Sequence, residues 1–350
     1  MTTNFAFNAH EIDSLPSPEV LQQELAATSH ELAFVKNSRQ QIANILDGKD
    51  QRLLLIVGPC SIHDPVAAQE YAANLQALSQ EYSDIFFIVM RTHFEKPRTI
   101  TGWKGLVYDP HLNGTNDMET GLRHARKLLL TLARMNIAAA TEFLDPMTPH
   151  YFGDLISWAC IGARTVESQI HRQIASGLAM PVAMKNGTSG NIDVAINGIL
   201  TAQYPHSFFG INNKGHISTI RTKGNPHVHI ALRGGESAPN YDSISINNAL
   251  LQLKKAGLPP RLVIDCSHDN SCRNHEEQTT VFKNVIEQIL QGNASIKGLV
   301  LESHLYGGNQ HLTSDNTLLK YAVSLTDPCL DWQSTKQLIS WAADKLSVKC

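Results

Sequence analysis

The sequence predicts an α/β fold, a closed (β/α)8 barrel, because short apolar strands alternate regularly with amphipathic helices. From Leu53 onward, eight β-rich runs and eight helical patterns follow one another, as expected of a parallel sheet whose strands are each followed by a helix. The length agrees, since 350 residues suit one barrel-sized domain. A doubly wound open sheet is the alternative that the same alternation allows.

The predicted strands are short apolar and β-branched runs at 53–57, 85–90, 138–141, 161–165, 182–185, 207–211, 262–265 and 298–301. The predicted helices lie at 65–80, 118–135, 149–159, 167–176, 191–203, 244–256, 276–291 and 333–346. Runs at 216–220 and 228–232, joined by a turn with Gly and Pro, interrupt the alternation. They predict a β-hairpin inserted after the sixth strand, at 212–232. His227 and His229 alternate on this hairpin and are predicted to face solvent or a neighbouring chain.

Residues 1–50 are predicted to form a helical extension before the catalytic barrel, which we assign to residues 51–350. Ser17 precedes Pro18 and Glu19, an arrangement typical of a helix start. Apolar side chains then recur at helical spacing, at Leu32, Val35, Ile42, Ile45 and Leu46. This stripe either caps one end of the barrel or packs on a neighbouring subunit. We expect residues 1–50 to serve oligomer formation or regulation.

Composition bounds the class of partner. The formal net charge is −3, so no basic excess suggests nucleic acid or an anionic membrane. The first residues carry no basic and apolar leader pattern, and no apolar run approaches the ~18 residues of a membrane span. The six cysteines are scattered without a paired framework, which predicts reduced thiols in a cytoplasmic protein.

A short basic loop follows the second predicted strand. Arg91, Lys96, Arg98 and Lys104 lie in a stretch with Gly and Pro but no helical periodicity. Cations crowded in this way repel one another unless anions neutralise them, and Arg binds phosphate or carboxylate oxygens as a planar fork. A solvated basic loop is the alternative, although Pro97 and Trp103 argue against it. The loop predicts a site for a phosphorylated substrate.

The other strand ends carry chemistry of two kinds. One set is cationic and exceeds what one phosphate needs, which suits two anionic substrates: Arg91, Lys96, Arg98, Arg164, Lys185 and Arg233. The second set offers one thiolate, one imidazole and two carboxylates: Cys60, His268, Glu302 and Asp327. Such mixed ligands fit one divalent ion of Mn, Fe, Co or Zn better than Ca or Mg. Each of the four also has a purely structural interpretation, and His63 and Cys266 are competing ligands.

The motifs at these strand ends resemble those of the type I 3-deoxy-D-arabino-heptulosonate 7-phosphate (DAHP) synthases. In order, the motifs are GPCSIHD at 58–64, FEKPRT at 94–99, GWKG at 102–105, ATEFLD at 140–145, IGAR at 161–164, KNGT at 185–188, LRGG at 232–235 and ESH at 302–304. They extend from about residue 50 to the C-terminus. The 3-deoxy-octulosonate 8-phosphate synthases share the barrel and several cations, but Lys-Pro-Arg-Thr resembles the heptulosonate branch.

The resemblance implies a (β/α)8 barrel that condenses phosphoenolpyruvate with D-erythrose 4-phosphate and water. The products are DAHP and phosphate, in the first step of the shikimate pathway. Cys60, His268, Glu302 and Asp327 would then hold the divalent metal. Lys96 would donate a proton or hydrogen bond to the aldehyde oxygen, and Glu142 would orient water.

The resemblance also assigns substrate contacts. The phosphate of phosphoenolpyruvate would be held by Arg164, Lys185 and Arg233. Its carboxylate would be held by Arg91 and Lys96, with backbone contacts from Gly162 and Ala163. Arg98 and Thr99 would hold the phosphate of erythrose 4-phosphate.

Family members carry an allosteric pocket for an aromatic amino acid, and the resemblance places it here at Met147, His150, Leu178, Ala179, Phe208, Gly210 and Ile220. Ala179, Gly210 and Lys214 depart from the residues common in relatives, so the effector stays open. The resemblance further implies a homodimer or homotetramer. Two alternatives remain: another barrel enzyme with a different sugar phosphate, and a catalytically inactive partner that binds an aromatic amino acid. The inactive partner would lack a metal ligand or substrate cation, and none is missing.

Overall fold

Eight parallel strands close a barrel in the computed structural model, which describes residues 12–313 and 315–347. The barrel strands are β1 (Leu53–Gly58), β2 (Phe86–Arg91), β3 (Ala138–Glu142), β4 (Trp158–Ile161), β5 (Val182–Lys185), β8 (Val228–Leu232), β9 (Leu262–Asp265) and β10 (Ile296–Glu302). β1 pairs in parallel with both β2 and β10, so the sheet is closed and the open-sheet alternative is excluded. Residues 1–11 of the predicted extension, and residues 314 and 348–350 of the predicted barrel domain, lie outside the described residues.

The hairpin differs from the prediction. β6 (Ser207–Ile211) pairs antiparallel with β7 (Ile217–Arg221), between the fifth and sixth barrel strands. The predicted sixth strand at 207–211 therefore belongs to the hairpin, and the predicted hairpin strand at 228–232 is β8 of the barrel. Burial gives the reason: every residue of β8 is buried, as in a parallel strand covered on both faces, whereas β7 alternates between exposed and half-buried residues.

Ten α-helices are assigned in the described ranges. They are α1 (Pro18–Glu24), α2 (Ser29–Leu46), α3 (Pro65–Glu81), α4 (Met118–Arg134), α5 (Thr148–Phe152), α6 (Gln169–Gly177), α7 (Asp193–Ala202), α8 (Ser243–Lys255), α9 (Gln278–Leu290) and α10 (Trp332–Ser347). The predicted helix at 149–159 is wrong in its second half, because α5 ends at Phe152 and β4 begins at Trp158. β4 therefore starts three residues before the predicted strand at 161–165. A short apolar run does not distinguish a buried helix from a buried strand by periodicity alone.

Helix α2 lies across the amino-terminal end of the barrel. Ile42, Ile45 and Leu46 pack with side chains of the barrel interior, among them Leu54 and Val300. Thr28 and Glu31 form a reciprocal capping box at the start of this helix. At its end, Asp47 accepts a 2.6 Å hydrogen bond from Arg261, just before β9. Ile42, Ile45 and Leu46 of the predicted apolar stripe thus fill one end of the barrel, whereas Leu32 of the same stripe is exposed. Polar side chains gather at the other end of the barrel. None of the helices in the described ranges is long and apolar enough to cross a membrane.

His229 lies inside the barrel, so the prediction that it faces solvent or a neighbour is wrong. Trp158 donates its Nε1–H to His229 Nε2 at 3.2 Å, and His229 Nδ1 donates to the carbonyl oxygen of His227 at 3.0 Å. Both ring side chains are buried. Burial lowers the pKa of His229 to about 4, so the imidazole is neutral in the folded protein.

This histidine predicts a loss of stability at acidic pH. The unfolded chain binds a proton at His229 at a higher pH than the folded chain, so the free energy of unfolding falls as the pH drops from about 6.5 towards 4. Between pH 6.5 and 5 this histidine accounts for roughly 1–2 kcal/mol of the loss. In urea unfolding, His229→Gln is expected to show a smaller pH dependence than the unmodified chain. The control, His311→Gln at an exposed position, keeps the full dependence. Equal slopes for all three proteins would contradict the prediction.

Candidate active site

A polar cleft of about 250 Å³ opens at the carboxyl ends of the barrel strands. It gathers residues predicted from distant parts of the sequence. Eight of the nine predicted substrate-binding residues line it: Lys96, Arg98, Thr99, Gly162, Ala163, Arg164, Lys185 and Arg233. The metal-set residues His268 and Asp327 line the same cleft, as does Glu142 at the end of β3. The strand ends therefore converge on one site, as the barrel topology requires.

The cations divide by depth. Lys96, Lys185 and Arg233 are buried in the cleft floor, whereas Arg98 and Arg164 are exposed at its rim. Arg98 and Thr99 follow Pro97 in the loop after β2. They are exposed, whereas Lys96 of the same loop is buried. The cleft thus offers one deep group of cations and one outer group.

Arg91, the ninth predicted substrate residue, lies beneath the cleft at the end of β2. Its guanidinium donates to the carbonyl oxygen of Pro59 at 3.1 Å and to that of Cys60 at 3.2 Å. It also pairs with Glu302 Oε1 at 2.7 Å and contacts His93 Nε2 at 3.1 Å. These contacts fix Glu302 and the loop after β1. A contact between Arg91 and a substrate carboxylate stays a prediction.

Lys96 is held at the base of the cleft. Its Nζ lies 3.1 Å from Cys60 Sγ and 3.2 Å from the Cys60 carbonyl oxygen, and its backbone N–H donates to Lys104 O at 2.8 Å. Burial lowers the pKa of Lys96, but the charges of Cys60 and Glu302 outweigh burial and raise it above its usual value. Lys96 therefore stays protonated and presents N–H donors. Gly105 permits the close turn, because a Cβ there would lie 2.2 Å from Phe94 O.

Two of the three deep cations, Lys185 and Arg233, have acidic partners that the sequence analysis did not select. Lys185 Nζ lies 2.8 Å from Asp265 Oδ2, with both side chains buried. Burial lowers the pKa of Lys185, and Asp265 more than offsets that effect. Arg233 pairs with Asp269, which also accepts from Arg273 Nε at 3.0 Å. These acids neutralise part of the charge that the cations would otherwise leave buried.

The predicted metal set is assembled in part around a common point. The ligand atoms of Cys60, Glu302 and Asp327 all lie within 4.8 Å of one another, and His268 Nε2 lies 3.8 Å from Glu302 Oε1. One thiol, one imidazole and two carboxylates fit a divalent transition metal. Burial, followed by the nearby charge of Glu302, raises the pKa of the Cys60 thiol to about 11. A bound metal requires this sulfur as thiolate, so metal binding releases a proton.

A second group of potential ligands lies deeper in the barrel. His93, Glu142 and Cys160 also bring their ligand atoms within 4.8 Å of one another. Burial lowers the pKa of His93 well below its usual value, and the nearby charges of Arg91, Lys96 and Lys185 lower it further. A position facing three cations with a single carboxylate repels a further cation. The Cys60 group, with two carboxylates, is the better metal site.

Glu142 stands beside the backbone at the end of β4. A Cβ on Gly162 would lie 2.0 Å from Glu142 Oε1, so only glycine lets the carboxylate reach this position. His93 Nδ1 lies 3.6 Å from Glu142 Oε2. Glu142 is buried but still lines the cleft, which places a carboxylate next to Ala163 and Arg164.

A second cavity of about 400 Å³ lies beside the hairpin, between α5, α6 and β6–β7. The structure brings all seven residues of the predicted allosteric set to its lining: Met147, His150, Leu178, Ala179, Phe208, Gly210 and Ile220. The lining is mainly apolar, with Arg39, His150 and Asp154 as polar members. Gly210 sits close to Ile220, since a Cβ there would meet Ile220 Cγ1 at 2.6 Å.

The residues that sequence reasoning missed are the acidic and hydrogen-bonding partners of the cations. They are His93, Asp265 and Asp269, and Asp269 also pairs with Arg273. Asp265 could have been selected from the sequence, because it ends β9 and belongs to the same Asp-Cys-Ser-His stretch that supplies His268. Asp269 follows that strand, and only the folded chain shows that it pairs with Arg233.

The chain is similar to known proteins along nearly all its length. The DAHP synthetase I family matches residues 26–340. The tyrosine-sensitive phospho-2-dehydro-3-deoxyheptonate aldolase of Escherichia coli K12 is 48% identical over 334 residues, covering 95% of this chain and 94% of that protein. The phenylalanine-sensitive enzyme of the same strain is 47% identical over 339 residues, covering 97% and 96%. The solved phospho-2-dehydro-3-deoxyheptonate aldolase of Francisella tularensis SCHU S4 has a TM-score of 0.95 at 42% identity, covering 98% and 100%.

Fold and cleft define the class: a (β/α)8-barrel enzyme whose cleft gathers cations beside a group of side chains that could hold a metal ion. The similarities to known proteins identify the family. The chain belongs to the DAHP synthetase I family, as its motifs suggested.

The two ligand groups can be separated by one substitution in each. Cys60→Ala is expected to weaken Mn²⁺ binding by at least ~10-fold, since even the loss of a partner outside the ligand shell has this effect. Cys160→Ala removes an equally buried barrel thiol and is expected to leave the affinity for Mn²⁺ unchanged. The measurement is titration of free Mn²⁺ by electron paramagnetic resonance. Weakened binding in Cys160→Ala alone would assign the metal to the deeper group instead.

Proposed function

We propose that the chain condenses phosphoenolpyruvate with D-erythrose 4-phosphate and water to DAHP and phosphate, the first step of the shikimate pathway. The observation that carries the proposal is one cleft lined by five cations, together with His268 and Asp327 of the metal set; the cations are Lys96, Arg98, Arg164, Lys185 and Arg233. The family supports it, because the similar proteins of Escherichia coli and Francisella tularensis are named as phospho-2-dehydro-3-deoxyheptonate aldolases.

Phosphoenolpyruvate lies between the deep cations and Arg164 at the rim in this proposal. Its phosphate is held by Arg164, Lys185 and Arg233, and its carboxylate by Lys96 and, after a change in its contacts, Arg91. Gly162 and Ala163 also line the cleft, and their backbone groups contact phosphoenolpyruvate in this proposal. Erythrose 4-phosphate enters from the rim, where Arg98 and Thr99 bind its phosphate. Both substrates are anionic, so the cations offset their repulsion and fix their mutual geometry.

The chemistry joins C3 of phosphoenolpyruvate to the aldehyde carbon of erythrose 4-phosphate. Cys60, His268, Glu302 and Asp327 would hold a divalent metal, which would supply Lewis acidity towards the aldehyde. Lys96, kept protonated beside Cys60, donates to the aldehyde oxygen as negative charge develops there. Glu142 orients the water that adds to C2, after which the bond from C2 to the phosphate oxygen breaks and phosphate leaves. The native identity of the metal is open among Mn, Fe, Co and Zn.

The reaction is tested by following DAHP and phosphate formation from the two substrates. Activity is expected to disappear after chelation and to return with Mn²⁺. Arg98→Ala is expected to raise KM for erythrose 4-phosphate about 10-fold or more, because a hydrogen-bonded phosphate loses its charged partner. Lys104→Ala, at an exposed cation of the same loop, is the matched control and leaves KM unchanged. Turnover with a pentose phosphate but not with erythrose 4-phosphate would replace this reaction with the octulosonate one. No turnover with any metal would favour the inactive-partner alternative.

We further propose that the cavity beside the hairpin binds an aromatic amino acid that inhibits the enzyme. Its volume and largely apolar lining suit an aromatic ring, and Arg39, His150 and Asp154 offer polar groups for the ligand's charged end. Similar proteins are named as tyrosine-, phenylalanine- and tryptophan-sensitive, at 48%, 47% and 47% identity. The comparisons therefore support the class of effector without selecting one.

Filling the cavity is expected to relieve inhibition. Ala179→Leu adds bulk at the lining and should raise the inhibitory concentration roughly 10-fold, since overfilled sites cost a kilocalorie or more. Ala294→Leu makes the same change at an exposed loop away from the cavity and is expected to leave inhibition intact. Initial rates with phenylalanine, tyrosine and tryptophan measure both variants and name the effector. Unchanged inhibition of Ala179→Leu by the ligand that inhibits the parent chain would place the effector elsewhere.

Residues 1–50 and the hairpin are proposed to take part in a homodimer or homotetramer. Phe209 and Ile217 of the hairpin are 86% and 84% exposed, which is unusual for large apolar side chains and suits an interface. The extension lies next to the hairpin, since the backbone N–H of Glu19 donates to Asn213 O at 2.7 Å.

A further inference from the structure

Asp265 contacts both parts of the site, the deep cations and the metal set. It is the last residue of β9 and its side chain is fully buried. Its Oδ1 accepts from the Ser267 hydroxyl at 2.6 Å and from the Ser267 backbone N–H at 3.1 Å. Its Oδ2 lies 2.8 Å from Lys185 Nζ and 2.9 Å from His268 Nδ1. One carboxylate oxygen therefore contacts both a phosphate-binding lysine and a metal-set histidine.

The contact with His268 fixes which ring nitrogen can bind a metal. Asp265 and the Ser267 hydroxyl both face Nδ1, the latter at 2.7 Å, so Nδ1 carries the proton. Nε2 is then left as the lone-pair donor, and it is the nitrogen that lies towards Glu302. A carboxylate behind a histidine is a common way to orient that histidine and to increase its basicity as a ligand.

The contact between Asp265 and Lys185 fixes the position of this lysine in the cleft. The Lys185 side chain is only 4% exposed, so the position of its ammonium group is set by its protein partners. Asp265 is the acid it contacts, and Lys185 lines the cleft where the phosphate of phosphoenolpyruvate is proposed to bind. Because Oδ2 serves both groups, a shift of the carboxylate towards one of them weakens its hold on the other.

We infer that Asp265 is a positioning residue that couples metal binding to phosphoenolpyruvate binding. It holds His268 as a ligand on one side and Lys185 as a phosphate donor on the other, without touching substrate or metal itself. The inference rests on the proposed function for the identity of the two ligands. It extends that function by assigning the link between their sites to one side chain. By linkage, each ligand then changes the affinity for the other by the same factor.

The first test is Mn²⁺ affinity, measured by electron paramagnetic resonance without substrates. Asp265→Asn keeps the shape of the side chain but removes its charge and presents an amide N–H₂ to its partners. Mn²⁺ binding is expected to weaken by about 10- to 100-fold, as for other residues that orient metal ligands. Asp242→Asn, at the helix cap of α8 outside the cleft, is the matched control and keeps the parent affinity.

Asp265→Asn leaves a buried lysine without its acid, so a second pair of variants guards against misfolding. Lys185→Met removes the lysine alone and leaves Asp265 free to hold His268, and its Mn²⁺ affinity is expected to stay within threefold of the parent. Lys185→Met with Asp265→Asn removes both charges, and its Mn²⁺ affinity is expected to fall at least ~10-fold below that of Lys185→Met. Equal affinities of these two variants would overturn the inference.

The coupling is tested by titrating phosphoenolpyruvate calorimetrically with and without Mn²⁺. In the parent chain the dissociation constant is expected to change on adding Mn²⁺, and in Asp265→Asn the change is expected to shrink at least threefold. Coupling that persists in Asp265→Asn would overturn the proposed link. Turnover by the parent chain is measured separately, so failure of the proposed reaction is distinguishable from failure of this inference.

Discussion

The pairing of buried cations with buried acids at one end of the barrel is the constraint on which the site depends. Arg91 pairs with Glu302, Lys185 with Asp265 and Arg233 with Asp269. A buried cation without a partner would cost several kcal/mol, so a site for two phosphorylated substrates cannot be built from cations alone. The acids hold the cations in place, and two of the three pairs also contact the metal set.

The rest of the barrel keeps this charged layer at one end. The interior below it is apolar, with Leu54, Ile56 and Val300 among its side chains, and α2 covers the opposite end. The contact between Trp158 and His229 is polar but carries no charge. The ion pairs of the site therefore lie at the end where the loops after the strands supply their partners.

The N-terminal extension and the cavity beside the hairpin share a wall. Arg39 of α2 donates to the carbonyl oxygens of Gly153 and Ile156 at 2.7 and 2.8 Å, and Arg126 pairs with Asp154. Asp145 and Thr148 flank the cavity-lining residue Met147, and the Asp145 N–H and the Thr148 hydroxyl both donate to the buried Glu95 carboxyl group at 2.9 Å. Direct contacts thus connect the extension, the cavity and the loop that carries Lys96.

Much of the fold could be predicted, because buried faces of strands and helices give the sequence a periodic pattern of apolar residues. The strand ends also pointed to the cleft, since residues after parallel strands meet at one edge whatever lies between them. Residues 207–211 and 228–232 show the limit of such prediction, because the first run was assigned to the barrel and the second to the hairpin, and the structure has them the other way round. Both are apolar β-rich runs, and only the closure of the barrel decides which of them is covered on both faces. The same closure put His229 inside the barrel.

The sequence by itself determined the alternation of strands and helices, the family and the set of cations and metal-type ligands, because each depends on residue types and their order. Only the tertiary structure decided which acid meets which cation, that Arg91 lies beneath the cleft, and that Asp265 contacts both Lys185 and His268. Those contacts join residues up to 211 positions apart, as with Arg91 and Glu302. Their distances are set by the packing of whole strands, which no local pattern in the chain records.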